Sequence, residues 1–264
     1  MEIFADLFIT VFHRNHQTID IEISADMARM VMEKNTLIDF HSHILPGVDH
    51  GSKNMETSLK QVQYAKKSGV DILVSTSHFY PHQDTVRSFL MRRDAAYIAL
   101  QEACILQGVE APRIVLAAEV LLCRGMEKME FVDRLCIGNT NVILLEMPLS
   151  KTWEKELIRS FLQIREMGLH PILAHAERYP KESVEELLQN GIEVQLNTES
   201  FHDWKKKKTC KYYIEKGCVV ALGSDIHGVD KQHSHFAKTM KELDDVGVQI
   251  QRKTAQLICK ELCK

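Results

Sequence analysis

The chain has no Cys-x-x-Cys pair, no G-x-G-x-x-G turn after its first predicted strand, and no uncharged apolar run near the roughly 18 residues of a membrane span. It holds seven cysteines: Cys104, Cys123, Cys136, Cys210, Cys218, Cys259 and Cys263. That number is odd, and most lie inside apolar patterns where a free thiol behaves as a small hydrophobe. A zinc ribbon or disulfide framework is therefore disfavoured, and a reducing, cytoplasmic location is expected. No cysteine is followed six positions later by arginine, so a cysteine-nucleophile phosphatase loop is excluded. Positive charge is not in excess either: 33 Lys and Arg against 36 Asp and Glu give a formal net charge of −3. A protein devoted to nucleic-acid backbones is disfavoured by that balance. The first residues, Met1-Glu2-Ile3-Phe4, lack the basic start of a signal peptide and run into His13-Arg14-Asn15-His16 without a small-residue cleavage site. Residues 1–35 read as an N-terminal extension, and 36–264 as one domain without a linker or low-complexity break.

What is present is an alternation of short apolar runs and longer helical patterns. Strands are predicted at 37–41, 71–77, 114–119, 142–147, 171–175, 192–197 and 218–224. Helices are predicted at about 55–68, 84–107, 153–167, 181–190 and 203–216, with two more at about 234–245 and 252–262. Glycines stand near the ends of five of these helices, where a left-handed cap is needed. Apolar strands alternating with helices imply an α/β protein with a parallel sheet covered by helices. About seven such units point to a closed or nearly closed β/α barrel, with an open doubly wound sheet as competitor.

The stretch Asp39-Phe40-His41-Ser42-His43 is the most informative one. Alternate side chains of a strand share a face, so His41 and His43 would project together and could grip one metal ion. Thirteen histidines are many for 264 residues, and they gather near strand ends. Asp49 and His50 follow the first strand and His78 the second; Glu119 and Glu146 end the third and fourth. His175 ends the fifth, with Glu177 and Arg178 just after, and Asp225 and His227 follow the seventh. In a β/α barrel these ends carry the chemistry. Any one of them alone is as well explained by loop anchoring, but six such ends together are not. Mixed imidazole and carboxylate donors suit Mn²⁺, Zn²⁺ or Fe²⁺ better than Ca²⁺ or Mg²⁺. Nine candidate ligands exceed one ion's needs, so two to three divalent ions are implied.

The order HxH, DHG, SHFYP, a strand-end Glu, LLEMP, LAHAERY and GSDIHG resembles the polymerase-and-histidinol-phosphatase (PHP) superfamily. Within it, IDFHSHILPGVDHGSKNMETSL and ILAHAERY resemble the bacterial tyrosine-protein phosphatases of capsule and exopolysaccharide operons, the CpsB/YwqE type. The resemblance spans roughly 36–245. It implies a distorted (β/α)7 barrel with a trinuclear, usually manganese-supported centre. By position, His41, His43, Glu119 and Asp225 would hold the first ion. Glu119 would bridge to a second ion held also by Glu146 and His175, and a third would use His50, His78 and His227. Two departures stand out. The family usually reads D-D-G where this chain has Asp49-His50-Gly51, and it often carries a second arginine after the D-x-H motif where this chain has Lys231.

The resemblance implies hydrolysis of a phosphomonoester, phosphotyrosine on protein, by a metal-activated hydroxide. Arg178 either forks onto two phosphate oxygens or forms a salt bridge with Glu177 or a loop carboxylate. Lys231 would add a point charge for substrate, and His43 or His227 could donate a proton. The run Lys205 to Lys208 is either a solvated helix face or a receiver for an acidic kinase tail. Trp153 stacks on a substrate ring or packs in the core, and Phe79-Tyr80-Pro81 could form a wall of the site. The implied partner is an autophosphorylated bacterial tyrosine kinase controlling polysaccharide synthesis, with self-association left open. A small-molecule phosphatase acting on an ester such as histidinol phosphate, a nuclease-like domain and a non-enzymatic binding module are the competing readings.

Overall fold

A computed structural model describes residues 36–229 and 232–262. The expected extension 1–35 and Lys231 lie outside the described residues. Ten short strands alternate with helices. They are β1 (Ile38–His43), β2 (Ile72–Ser75), β3 (His78–Phe79), β4 (Arg113–Leu116), β5 (Glu119–Leu121), β6 (Val142–Glu146), β7 (His170–Leu173), β8 (Glu193–Asn197), β9 (Val219–Gly223) and β10 (Ile226–His227). The helices are α1 (Met55–Lys67), α2 (Val86–Gln107), α3 (Lys155–Glu166), α4 (Lys181–Gln189), α5 (Trp204–Glu215) and α6 (Gln232–Leu262). Local chemistry starts three of them: Asn54, Thr85 and Asp203 each accept a backbone N–H of the first turn through the side chain.

Every strand pairing is parallel. One sheet runs β10-β1-β2-β4 and the other β3-β5-β6-β7-β8-β9. Pairs of these strands are consecutive pieces of one run: β2 and β3 are separated only by Thr76-Ser77, β4 and β5 by Ala117-Ala118, β9 and β10 by Ser224-Asp225. Followed through those breaks, the pairings pass from β1 through β2/β3, β4/β5, β6, β7, β8 and β9/β10 back to β1. Seven strand positions thus form a ring, the distorted barrel expected. Backbone groups at the breaks stay satisfied: Thr76 donates to Ser42 O at 2.8 Å, Ala117 to Ser75 O at 2.9 Å and Asp225 to His41 O at 2.8 Å.

β2, β6 and β9 are apolar on both faces, which is why they read as nearly unbroken apolar runs. On β6, Val142 and Leu144 belong to one apolar cluster and Ile143 and Leu145 to another. The larger cluster packs the helices, through Leu59, Val62, Phe89, Phe161, Val184 and Tyr213, onto the strands. The smaller joins Ile38, Phe40, Val74 and Ile172 to Ala255 and Ile258 of α6.

Two features differ from expectation. The second, third and seventh strands are each broken in two. And the last two helices are not separated by a loop up to 252: helical structure resumes directly after a break at Asp244 (φ 48°, ψ −126°). The physical reason is anchoring. Gln251 donates to Ile38 O at 3.2 Å and accepts from Ile38 N at 2.9 Å, so this stretch is fixed to β1 despite Gly247.

β9 approaches β1 closely because Gly223 has no side chain. A Cβ there would stand 2.3 Å from His41 Cβ and 3.0 Å from His41 N. Gly223→Ala is expected to lower stability by about 1–3 kcal/mol through this overpacking. Urea denaturation checks it; an unchanged midpoint would show that the β1–β9 seam has slack.

Candidate metal centre

The expected strand-end residues meet at one place. Glu119, the first residue of β5, is 1% exposed. Its Oε2 lies 3.2 Å from His41 Nε2, 3.2 Å from His43 Nε2 and 3.1 Å from His78 Nδ1, yet makes no aligned hydrogen bond to any of them. Its Oε1 takes His175 Nε2 at 2.7 Å. Asp225 Oδ1 is 3.5 Å from His41 Nε2, 3.4 Å from His43 Nε2 and 3.4 Å from His227 Nδ1. Glu146 Oε1 lies 3.3 Å from His78 Nδ1, and its Oε2 is 3.9 Å from His175 Nε2. Two imidazole nitrogens, His41 Nε2 and His43 Nε2, face each other at 3.1 Å.

Three sets of donor atoms are close enough to surround a cation: His41, His43, Glu119 and Asp225; His78, Glu119 and Glu146; and His43, His78 and His227. The first is the expected quartet. The second contains Glu119 and Glu146 as expected, with His78 in the place given to His175, which instead grips Glu119 from the other side. The third draws on His43 where His50 was expected. His50 is exposed at the rim, its ring stacked on His78 at 4.6 Å and on His227 at 4.7 Å. The donor set fits divalent ions: lone-pair nitrogens and carboxylate oxygens converge in a largely buried site, and the Glu119 oxygen among them lacks an aligned donor.

Charge reports the same demand. Burial pushes the His41 pKa down, but the Glu119 and Asp225 carboxylates outweigh it and raise it to about 9. Burial and the neighbouring Glu119 raise Glu146 to about 7. Burial and the His43 charge lower both His78 and His227 to about 4. The carboxylates thus draw in positive charge, while those two imidazoles stay neutral donors.

Backbone strain falls on the same residues. Four non-glycine residues among those described have positive φ, and two are His175 (φ 33°) and Asp225 (φ 51°). Such conformations persist where surrounding contacts over-determine them. Tyr179 supplies one: its hydroxyl accepts from Met147 N at 2.9 Å, and its ring lies 5.4 Å from His175 and 5.1 Å from Trp153. Trp153 is buried and donates to Pro148 O at 3.1 Å, so it packs in the core. Of the expected wall, Phe79 is buried against Phe89, while Tyr80 stacks on His78 at 5.2 Å. Glu177 does not pair with Arg178; it is buried and accepts from Ser200 Oγ at 2.8 Å. Arg178 reaches Asp225 Oδ2 at 3.5 Å with its side chain 37% exposed. Lys207 pairs with Glu242, and Lys205 lies over Trp204 on the surface of α5.

Sequence reasoning missed the groups that aim these donors. Asp49 Oδ2 accepts from His43 Nδ1 and from His78 N, each at 2.9 Å, and its Oδ1 accepts from Gly51 N at 2.8 Å. These bonds hold its carboxyl well below the usual range against the effect of burial. Asp49 therefore orients His43. Gln195 and Asn197 on β8 touch His41 and Asp225. Amides carry no ionisation signal, so only the pairing of β8 beside the site exposes them.

His41→Ala is expected to lower the divalent-ion content of the folded protein, and so is His175→Ala. Elemental analysis beside circular dichroism checks both. Wild-type metal content in a folded variant would remove that residue from the centre.

The family model for capsular polysaccharide synthesis, CpsB/CapC, matches residues 37–261. Tyrosine-protein phosphatase CpsB of Streptococcus agalactiae is 30% identical over 224 residues, covering 78% of this chain and 88% of that protein. Tyrosine-protein phosphatase YwqE of Bacillus subtilis is 23% identical over 220 residues, covering 79% and 84%. In fold, the chain is similar to a crystal structure from the pair YwqE of Bacillus subtilis and CpsB of Streptococcus pneumoniae, described as metal-dependent tyrosine phosphatases. The TM-score is 0.72 at 20% identity, covering 85% of this chain and 95% of that one. The chain belongs to the CpsB/CapC family of capsular polysaccharide synthesis.

Proposed function

We propose that this protein is a metal-dependent phosphomonoester hydrolase that removes phosphate from phosphotyrosine on protein. The observation that carries the reading is the convergence of His41, His43, His78 and His175 on the buried carboxylate of Glu119, inside a chain whose relatives are named tyrosine-protein phosphatases.

In this reading His41, His43, Glu119 and Asp225 would hold one ion. Glu119, Glu146 and His175, with His78 alongside, would hold a second. His78 and His227, with His50 at the rim, would hold a third. Manganese is the ion this reading favours, and iron or zinc would fit the same mixed donors. Divalent ions held there lower the pKa of water and offset charge developing on phosphoryl oxygens.

The chain's own residues supply the rest. Arg178, partly exposed beside Asp225, offers a planar fork to two phosphoryl oxygens. Lys231 would add a second, less directional charge. Tyr80, stacked on His78, flanks the entry for the substrate ring. A phenolate is a modest base, so its departure does not demand a strong general acid. The partner is then an autophosphorylated tyrosine kinase that controls capsular or exopolysaccharide synthesis, met in the cytoplasm. Free thiols at Cys104, Cys123, Cys136, Cys210 and Cys218 support a reducing compartment. None of the described helices is long and apolar enough to cross a membrane.

Purified protein is expected to hydrolyse a phosphotyrosyl peptide with Mn²⁺ and to stop after chelation, with recovery on adding Mn²⁺ back. Turnover that survives exhaustive chelation would sink the metal reading. Turnover of small phosphate esters with none of the peptide would sink the protein-substrate reading. Arg178→Ala is expected to lower kcat/KM on the order of 10–100-fold, the worth of a charged hydrogen bond, with metal content unchanged. Steady-state kinetics on the metal-loaded variant decides it.

A further inference from the structure

β8 is the one strand position of the ring to which no candidate metal donor was assigned, yet its two inward polar residues, Gln195 and Asn197, are buried in the centre. The directions of their hydrogen bonds can be worked out from one fixed point. The backbone N–H of His175 can only donate, and it points at Gln195 Oε1 at 2.9 Å. That oxygen also stands 3.0 Å from His41 Nδ1, so His41 must donate there, and its Nδ1 carries the proton. In neutral His41 the proton is then spent on Nδ1, and Nε2 keeps a bare lone pair. Nε2 is the atom aimed at Glu119 Oε2, His43 Nε2 and Asp225 Oδ1.

The same orientation turns Gln195 Nε2 toward Asn197 Oδ1 at 2.9 Å, where the nitrogen donates. Asn197 is thereby set with Nδ2 outward, and this donates to Asp225 Oδ2 at 2.7 Å. Asp225 Oδ1 is left turned to His41, His43 and His227. A reversal of either amide would place two acceptors or two donors face to face in a buried site, which is costly. One backbone donor thus fixes the direction of the whole chain from His175 through Gln195 and Asn197 to Asp225.

We infer that Gln195 and Asn197 are positioning residues that select the Nδ1–H tautomer of His41 and hold the Asp225 carboxylate ready for a divalent ion. The inference rests on the metal-centre reading above, and concerns how tightly the centre binds rather than what it hydrolyses. Gly223 belongs to the same device: a Cβ there would lie 3.0 Å from Gln195 Nε2, so only glycine leaves the amide room.

The test is Mn²⁺ affinity of the chelator-stripped full chain, by calorimetry. Gln195→Met keeps length and volume but removes the acceptor; affinity is expected to fall about 10–100-fold, the usual effect of losing a group that orients a ligand. Asn197→Leu keeps a similar volume but removes the donor to Asp225 Oδ2, and affinity is expected to fall likewise. Wild-type affinity in either variant overturns the inference. Should the Met variant fail to fold, the wild type decides: long-range proton–nitrogen NMR of the Zn²⁺-loaded protein is expected to show the His41 proton on Nδ1, and a proton on Nε2 overturns it. If the wild type binds neither Mn²⁺ nor Zn²⁺, it is the metal-centre reading that fails, which separates the two outcomes.

Discussion

A carboxylate sealed from water must be met by positive charge or by donors, and the burial of Glu119 sets that demand at the middle of this protein. An isolated buried charge costs several kcal/mol even after relaxation. Here four imidazoles come within hydrogen-bonding reach of its two oxygens. Asp225 adds negative charge beside it instead of relieving it, and Glu146, raised to about 7, adds part of another. The carboxylates are thus in excess of what neutral imidazole can offset. The elevated pKa of His41 records the deficit: without an ion, a proton is drawn in to serve as the cation. A divalent ion answers the same need with fixed geometry, so one electrostatic constraint ties the architecture to the chemistry proposed for it.

The strand breaks serve that constraint. Each of the three interruptions lies at the edge of the centre. Thr76-Ser77 leads into His78, Ala117-Ala118 into Glu119, and Ser224-Asp225 contains one donor and leads to His227. A regular strand would send alternate residues to opposite faces. Interrupting the ladder for two residues re-aims the chain, and β3, β5 and β10 then resume pairing with their donors at the site. The left-handed backbone at Asp225 is part of this re-aiming. It is tolerated because Asp225 N donates to His41 O and Asn197 holds the carboxylate.

What the sequence made legible follows from what leaves a pattern. Apolar runs such as VILLE and the glycines after the helices gave the order and number of strands, and ionisable residues just past those runs gave the donors. The breaks were not legible, since STS and AAE read as continuations of apolar strands. The helical stretch after Asp244 was not legible either, because Gln251 holds it through a contact more than two hundred residues away in the chain. Gln195 and Asn197 are uncharged and sit in an ordinary alternating strand, so nothing local marks them. Asp49 was visible as an acid but not as the partner of His43, a role fixed only when the loop after β1 folds back over Gly51. A Cβ at Gly51 would lie 2.2 Å from His43 Cβ, so that glycine permits the return.

The departure at Asp49-His50-Gly51 can now be weighed in charge. Asp49 is fully engaged by His43 Nδ1 and by the N–H groups of Gly51 and His78, so it is not at hand to replace the missing aspartate of the resembled pattern. His50 cannot supply negative charge. His43, His78 and His227 form the one of the three donor sets that contains no carboxylate, although oxygens of Glu119, Glu146 and Asp225 stand within 3.4 Å of those rings, and His50 is stacked at its rim. Burial and the His43 charge keep His78 and His227 neutral, so those two rings offer lone pairs without charge. Hard ions such as Mg²⁺ gain little from neutral nitrogen, whereas Zn²⁺ and Fe²⁺ are well served by it. In the proposed reading, the third ion is then the one whose retention depends most on which metal is supplied. The two donor sets that include carboxylates would keep their grip across that choice, because their attraction is chiefly charge.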